Sequence, residues 1–229
     1  MNVTAAKRYF AGPPSPKEAA ALQAHWRARV SRRDSQGPIR RVCGVDVAYD
    51  PARNLACAAA VVVELPGLAD VELCTARTPV RFPYIPGLLG FREAPAVLAA
   101  LARLSARPDL LLVDGHGLAH PRRCGIACML GLALGMRAIG CAKSVLVGVY
   151  DEPGQRPGEW TELRDDTNDD EVLGAALRTR AGVRPVFVSI GHRVSLEFAI
   201  RMVMASTDGF RLPRPLRLAD HAAAAEKRR

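Results

Sequence analysis

Two acids in this chain stand where a sheet would present them. Asp46 lies midway along the apolar run Arg41 to Tyr49, among Gly44, Val45, Val47 and Ala48. Asp114 ends a second run, Leu110 to Val113, and is followed by Gly115, His116 and Gly117. If the two runs are neighbouring strands, their axes lie about 4.8 Å apart. The carboxylates then share one divalent cation or flank two that are about 3.5–4 Å apart. Two unneutralised carboxylates that close repel each other, so a cation is the natural partner. Oxygen ligands favour Mg2+ or Mn2+ over zinc. Taken singly, each acid has a plainer role, Asp46 as a half-exposed strand acid and Asp114 as the start of a turn.

Other residues gain meaning only if they converge on this pair. Glu93 opens a helix after a proline loop, where it suits the helix dipole and is weak evidence of chemistry by itself. Pro121 suits the first helical position, which makes His120 an N-cap poised where anions bind, with Arg122 beside it. Phosphate contact and simple capping are both open for His120. Lys143 follows a short strand-like run, Ala138 to Cys141. At a strand end near two carboxylates it could stabilise a phosphate oxygen or orient a water; otherwise it is a solvated loop lysine. Only Lys7, Lys17, Lys143 and Lys227 are lysines among 32 basic residues, and Lys143 alone interrupts an apolar stretch. Pro83, Tyr84, Ile85 and Pro86 form a stiffened loop with two large side chains at its tip. Such a wedge can enter a base step and hold the gap left by a flipped base, or it can pack on its own domain.

The elements that must position these residues read as follows. Ser15, Pro16 and Glu18 mark a helix start that runs to about Arg33. Three strands follow, at 41–49, 54–65 and 70–80, joined by short turns that imply an antiparallel meander. Then come a helix at about 93–105, a strand at 109–113, a helix at about 122–135 and a strand at 138–141. Further strands read at 144–150, 171–179 and 185–190, a helix at about 195–205 and a short helix from about Leu218. Residues 151–170 read as loop, with an acidic cluster at Asp165, Asp166, Asp169 and Asp170. Three antiparallel strands followed by alternating helices and parallel strands give an α/β fold, a ribonuclease H-like mixed sheet flanked by helices. In that order the fourth strand lies parallel beside the first.

The 229 residues and 49% hydrophobic content suffice for one domain over 1–229. Within it, 1–14 reads as a flexible arm and 222–229 as a flexible tail. A net charge of +9 suits a polyanionic partner such as nucleic acid. The six cysteines fall in apolar runs and read as buried reduced thiols. Without a signal-peptide core or a long apolar run, the expectation is a cytoplasmic protein with no membrane partner.

Together, the stretches GVDVAY (44–49), FPYIPGLLGFRE (82–93), DGHGLAHPRRCGIA (114–127), IGCAKS (139–144) and SIGHRVSLEFA (189–199) resemble the endonuclease V family. Their order matches, and the resemblance spans nearly all of residues 15–221. It implies a DNA repair enzyme that hydrolyses the second phosphodiester bond 3′ to deoxyinosine with Mg2+, Mn2+ being a substitute. The products carry 3′-hydroxyl and 5′-phosphate ends. Carried over by motif, Asp46, Glu93 and Asp114 are the metal site, and Lys143 and His120 lie on the phosphate side. Tyr84 belongs to the wedge, and Gly87, Leu89, Gly115 and Gly125 to the lesion pocket. Asp220 or His221 stands where the fold adds a further metal-side ligand. Two positions depart from the family pattern: Gly90 where Ser is common, and Met129 where a histidine is usual. The expected partner is deoxyinosine DNA, acted on by a monomer, with inosine in RNA left open. The alternatives are a lesion binder without catalysis and another ribonuclease H-like nuclease acting on inosine-containing RNA or branched DNA.

Overall fold

The computed structural model describes residues 1–11, 15–168 and 170–229. Gly12, Pro13 and Pro14 of the expected arm and Asp169 of the acidic cluster lie outside the described residues. The chain runs α1 (Val3–Lys7), a 3-10 turn (Arg8–Phe10), α2 (Pro16–Arg27), β1 (Arg41–Asp50), β2 (Leu55–Glu64), β3 (Ala69–Pro79), α3 (Leu89–Leu101) and β4 (Leu110–Val113). It continues through α4 (Ile126–Leu134), β5 (Arg137–Ala142), β6 (Trp160–Arg164), β7 (Val172–Leu177), β8 (Val186–His192), α5 (Leu196–Ala205) and α6 (Arg214–Arg228).

The strands form one eight-stranded sheet in the order β3-β2-β1-β4-β5-β8-β7-β6. β1, β2 and β3 are the antiparallel meander, and β4 runs parallel to both β1 and β5. This is the ribonuclease H-like mixed sheet read from the sequence. Side chains alternate across it. Cys43, Val45, Leu111 and Val113 pack with α1, α3 and α4. Val42, Leu110 and Leu112 pack with α5 and α6. Gly44 lets α6 lie directly on β1, since a Cβ there would stand 2.3 Å from the carbonyl carbon of Pro215.

Several boundaries differ from the sequence reading. Residues 3–10 are helical and packed, Ala6 being fully buried and Tyr9 lying against Trp26, where a loose arm was expected. The capping box of Ser15 and Glu18 opens α2 as expected. That helix ends at Arg27 rather than near Arg33, because the following chain is drawn to β8: the Ser31 N–H donates to His192 Nδ1 (3.1 Å) and its carbonyl accepts from the Arg193 N–H (2.8 Å). Residues 144–150 are not a strand; Val149 alone bridges to Arg164 of β6, an edge strand the sequence reading missed. α6 begins at Arg214 and carries on through the expected tail, burying Leu216, Ala219 and Ala223. Of the acidic cluster, Asp165 is structural: it accepts from Arg123, as Glu171 does, and caps the N–H groups of Thr167 and Asn168. Among the described residues, no helix is long and apolar enough to cross a membrane.

Candidate active site

The pairing of β1 with β4 ends at Val45 opposite Val113, and the Asp114 N–H donates to the Val45 carbonyl (3.1 Å). One step further along both strands therefore sets Asp46 beside Asp114. Both point to the face covered by α6, and α6 adds Asp220. Asp46, Asp114 and Asp220 each offer a carboxylate oxygen within 4.8 Å of the others. The sequence left Asp220 and His221 as alternatives. In the structure Asp220 joins the cluster and His221 is exposed.

Lys143, one residue past β5, closes this cluster. Its Nζ lies 2.5 Å from Asp114 Oδ2 and 2.9 Å from Asp220 Oδ1. Burial lowers the lysine's affinity for its proton, but the hydrogen bonds and charges of the two acids outweigh it and hold the pKa above the usual lysine value. Burial likewise opposes ionisation of Asp220, yet the Lys143 ammonium keeps that carboxyl below its usual pKa. Asp114 is raised, because its burial outweighs the same ammonium. Asp46 is pushed up to about 7 by burial and then by the Asp114 charge.

Glu93 reaches this region from the opposite side of the sheet. It lies a full turn inside α3, not at its start, so the first-turn dipole argument does not apply. It is 9% exposed, and Tyr49 Oη donates to its Oε1 (3.2 Å). Burial raises its pKa to about 8, opposed by the Tyr49 hydrogen bond, with the Asp46 and Asp114 charges adding to the rise. Asp46, Asp114 and Glu93 thus resist ionisation without a further counter-charge, whereas Asp220 already has one in Lys143. The three acids that stand together, Asp46, Asp114 and Asp220, offer only oxygen donors, a set that fits a hard divalent cation, and Glu93 lies outside that group.

Beside the acids opens a pocket of about 650 Å³, its mouth included. One wall is the wedge loop, Tyr84 to Gly87, with Leu89. The other is formed by Gly115, His116, Gly125 and Ile126, and Glu93 and Asp114 lie on the same lining. Pro86 and Gly87 occupy the centre of a type II turn, closed by the Leu88 N–H on the Ile85 carbonyl (2.9 Å), with Gly87 at φ 76°. The turn lifts Tyr84 into solvent, 69% exposed.

His120 does not cap a helix. The N-cap of α4 is Gly125, and Arg123 at φ 52° breaks the chain before it. His120 is 4% exposed, and both ring nitrogens are engaged: Nε2 donates to the Gly87 carbonyl (2.9 Å), and Nδ1 accepts from the Arg122 N–H (3.1 Å). Burial pushes its pKa down to about 4. Sequence reasoning missed Gln23 and Leu146, which line the pocket from distant parts of the chain.

The sheet order, with acids grouped where β1 and β4 run side by side, defines the ribonuclease H-like class of nucleases. The family model for endonuclease V matches residues 24–221, and the chain belongs to the endonuclease V family. Endonuclease V from a Roseiflexus species is 56% identical over 208 residues, covering 91% of each chain. The crystal structure of endonuclease V from Streptomyces avermitilis superposes with a TM-score of 0.87 at 45% identity, covering 93% of each chain. Endonuclease V from Ciona intestinalis, in complex with a 24mer DNA containing an inosine followed by a ribo-adenosine, gives a TM-score of 0.82 at 30% identity. That match covers 93% of this chain and 97% of the other.

Proposed function

We propose that this protein recognises deoxyinosine in DNA and hydrolyses the second phosphodiester bond on its 3′ side, leaving 3′-hydroxyl and 5′-phosphate ends. The observation that carries the reading is the continuity of pocket and acids: the wedge loop, Gly115, Gly125, Glu93 and Asp114 line one opening. A base turned out of its stack and the neighbouring phosphates then meet a single surface. The inosine-containing DNA bound by the Ciona relative supports the same reading.

In this mechanism the exposed Tyr84 enters the duplex and occupies the space the base leaves, backed by Ile85, which packs on the apolar cluster beneath the loop. Gly87, Leu89, Gly115 and Gly125 surround the base. Asp46, Asp114 and Asp220, with Glu93 across the sheet edge, would hold Mg2+, or Mn2+ in its place. The cation would supply Lewis acidity and charge neutralisation at the scissile phosphate. Lys143 keeps its proton and offers positive charge to the phosphate oxygens as charge builds on them. His120 acts on the wedge through the Gly87 carbonyl.

The test is a duplex with one deoxyinosine, incubated with Mg2+, its cut mapped to the nucleotide. A nick at the second 3′ bond, absent in Asp114→Asn, is the expected result. Tight binding without a cut in Mg2+ or Mn2+ would replace the enzyme by a lesion binder. A preference for branched DNA or for inosine in RNA would move the substrate.

A further inference from the structure

We infer that Gln23, far from every motif of the site, is a positioning residue that fixes the spacing between the two walls of the pocket. The inference rests on reading that pocket as the base-binding site.

Gln23 projects from α2 and is 1% exposed. Both ends of its amide are engaged, and Nε2 also lies 3.9 Å from Met129 Sδ. Oε1 accepts from Arg122 Nε (2.6 Å), and Nε2 donates to the Cys124 carbonyl (2.9 Å). An arginine Nε only donates and a carbonyl only accepts, so one orientation of the amide satisfies both. Arg122 passes the constraint on: its Nη2 donates to the Gly87 carbonyl (2.6 Å), which also accepts from His120 Nε2. Cys124 immediately precedes Gly125, the N-cap of α4 and part of the opposite wall.

One side chain therefore ties the wedge turn, through Arg122 and Gly87, to the start of α4, through Cys124. The partners lie 99 and 101 residues away in the chain. α2 is seated beside both walls by Trp26, stacked on Phe91 of α3 (5.7 Å between ring centroids). The amide is thus carried by a helix rather than by the loops it joins. Without it, Arg122 is free to swing and the wedge turn loses one of its two holds on Gly87. A pocket that must accept one flat base then widens and closes at random, which weakens capture and leaves the acids in place.

The test compares wild type with Gln23→Met, which keeps length and loses the amide's hydrogen bonds, and Gln23→Glu, which keeps the Arg122 contact and loses the donor to Cys124 and Met129. On deoxyinosine duplex, Gln23→Met is expected to raise KM about tenfold with kcat little changed, the loss expected for a hydrogen bond to a charged group. Gln23→Glu is expected to fall between the two. Amide exchange should quicken in peptides spanning 83–90 in Gln23→Met and stay unchanged in 41–50. Unchanged KM, or exchange that is unaltered at 83–90 or quickened equally in β1, would overturn the inference. If wild type itself fails to nick deoxyinosine DNA, the functional reading falls, and the exchange data alone still decide the role of Gln23.

Discussion

The sulfur of Met129 occupies the space that a side chain on Gly90 would need, for a Cβ built on Gly90 would stand 2.5 Å from Met129 Sδ. The two departures from the family pattern are therefore a single packing choice. Gly90 lines the pocket in the first turn of α3, three residues before Glu93. Met129 is 1% exposed, among Phe82, Leu88, Phe91 and Cys128.

Gly90→Ser alone should destabilise the protein by about 1–3 kcal/mol, the usual penalty for overpacking. Met129→His alone should also destabilise, because it forces a polar ring into a cluster that is apolar apart from the Gln23 amide, 3.9 Å from the Met129 sulfur. Combined, they should recover part of the loss, with a coupling of about 0.5–3 kcal/mol in urea unfolding. Strictly additive losses would show that the positions are independent.

The acid cluster predicts a metal-dependent stability. In EDTA at pH 8, Asp46→Asn should melt at a higher temperature than wild type, since it removes one of the carboxylates that crowd together. Added Mn2+ should raise the melting temperature of wild type and much less that of Asp46→Asn. Nicking should fall about 10³-fold in the variant, comparable to the loss of a main electrostatic contact in a catalytic site. Equal metal protection of both proteins would remove Asp46 from the ligand set.

Tyr84 stands in solvent, so its removal separates recognition from folding. Tyr84→Ala should leave stability within about 0.5 kcal/mol of wild type, as for most surface changes. It should raise KM for deoxyinosine duplex with kcat nearly kept. A loss of kcat with unchanged KM would place the side chain in the chemistry and not in the wedge.

His192 makes the fold sensitive to acid. Its Nδ1 must be unprotonated to accept the Ser31 N–H, and burial, then the Arg193 and Arg29 charges, lowers its pKa to about 4. The folded value lies below the ordinary histidine value of 6.5, so the unfolded chain takes up the proton first. This contribution is present in full above about pH 6.5 and is lost as the pH falls toward about 4, by ~1.4 kcal/mol for each unit between the two pKa values. His192→Asn, which sets an amide oxygen near the Nδ1 position, should flatten the decline over that window. Parallel curves for the two proteins would assign the acid sensitivity elsewhere.

The legible part of this molecule is the part written locally. Short turns among the first three strands gave the meander, and an acid at the end of an apolar run gave Asp114 and its place beside Asp46. The capping box of Ser15 and Glu18 was equally plain. His120 was misread because Pro121 suits a first helical position, whereas the helix waits for Gly125. Asp220 could not be chosen over His221 without the face of α6 that meets β1, and that face depends on Gly44 allowing the helix so close. Gln23 and Leu146 carry no local signal, since each acquires its place only when distant segments meet.

The close seating of α6 on β1 also sets an order in time. Asp46, Glu93, Asp114 and Lys143 all leave the ribosome before Asp220, which arrives on the helix that follows every strand. Until that helix is made, the cluster of acids lacks a member. Docking of the final helix both completes the core, through Leu216, and brings Asp220 to Asp46 and Asp114, so a chain stalled before Arg214 lacks both.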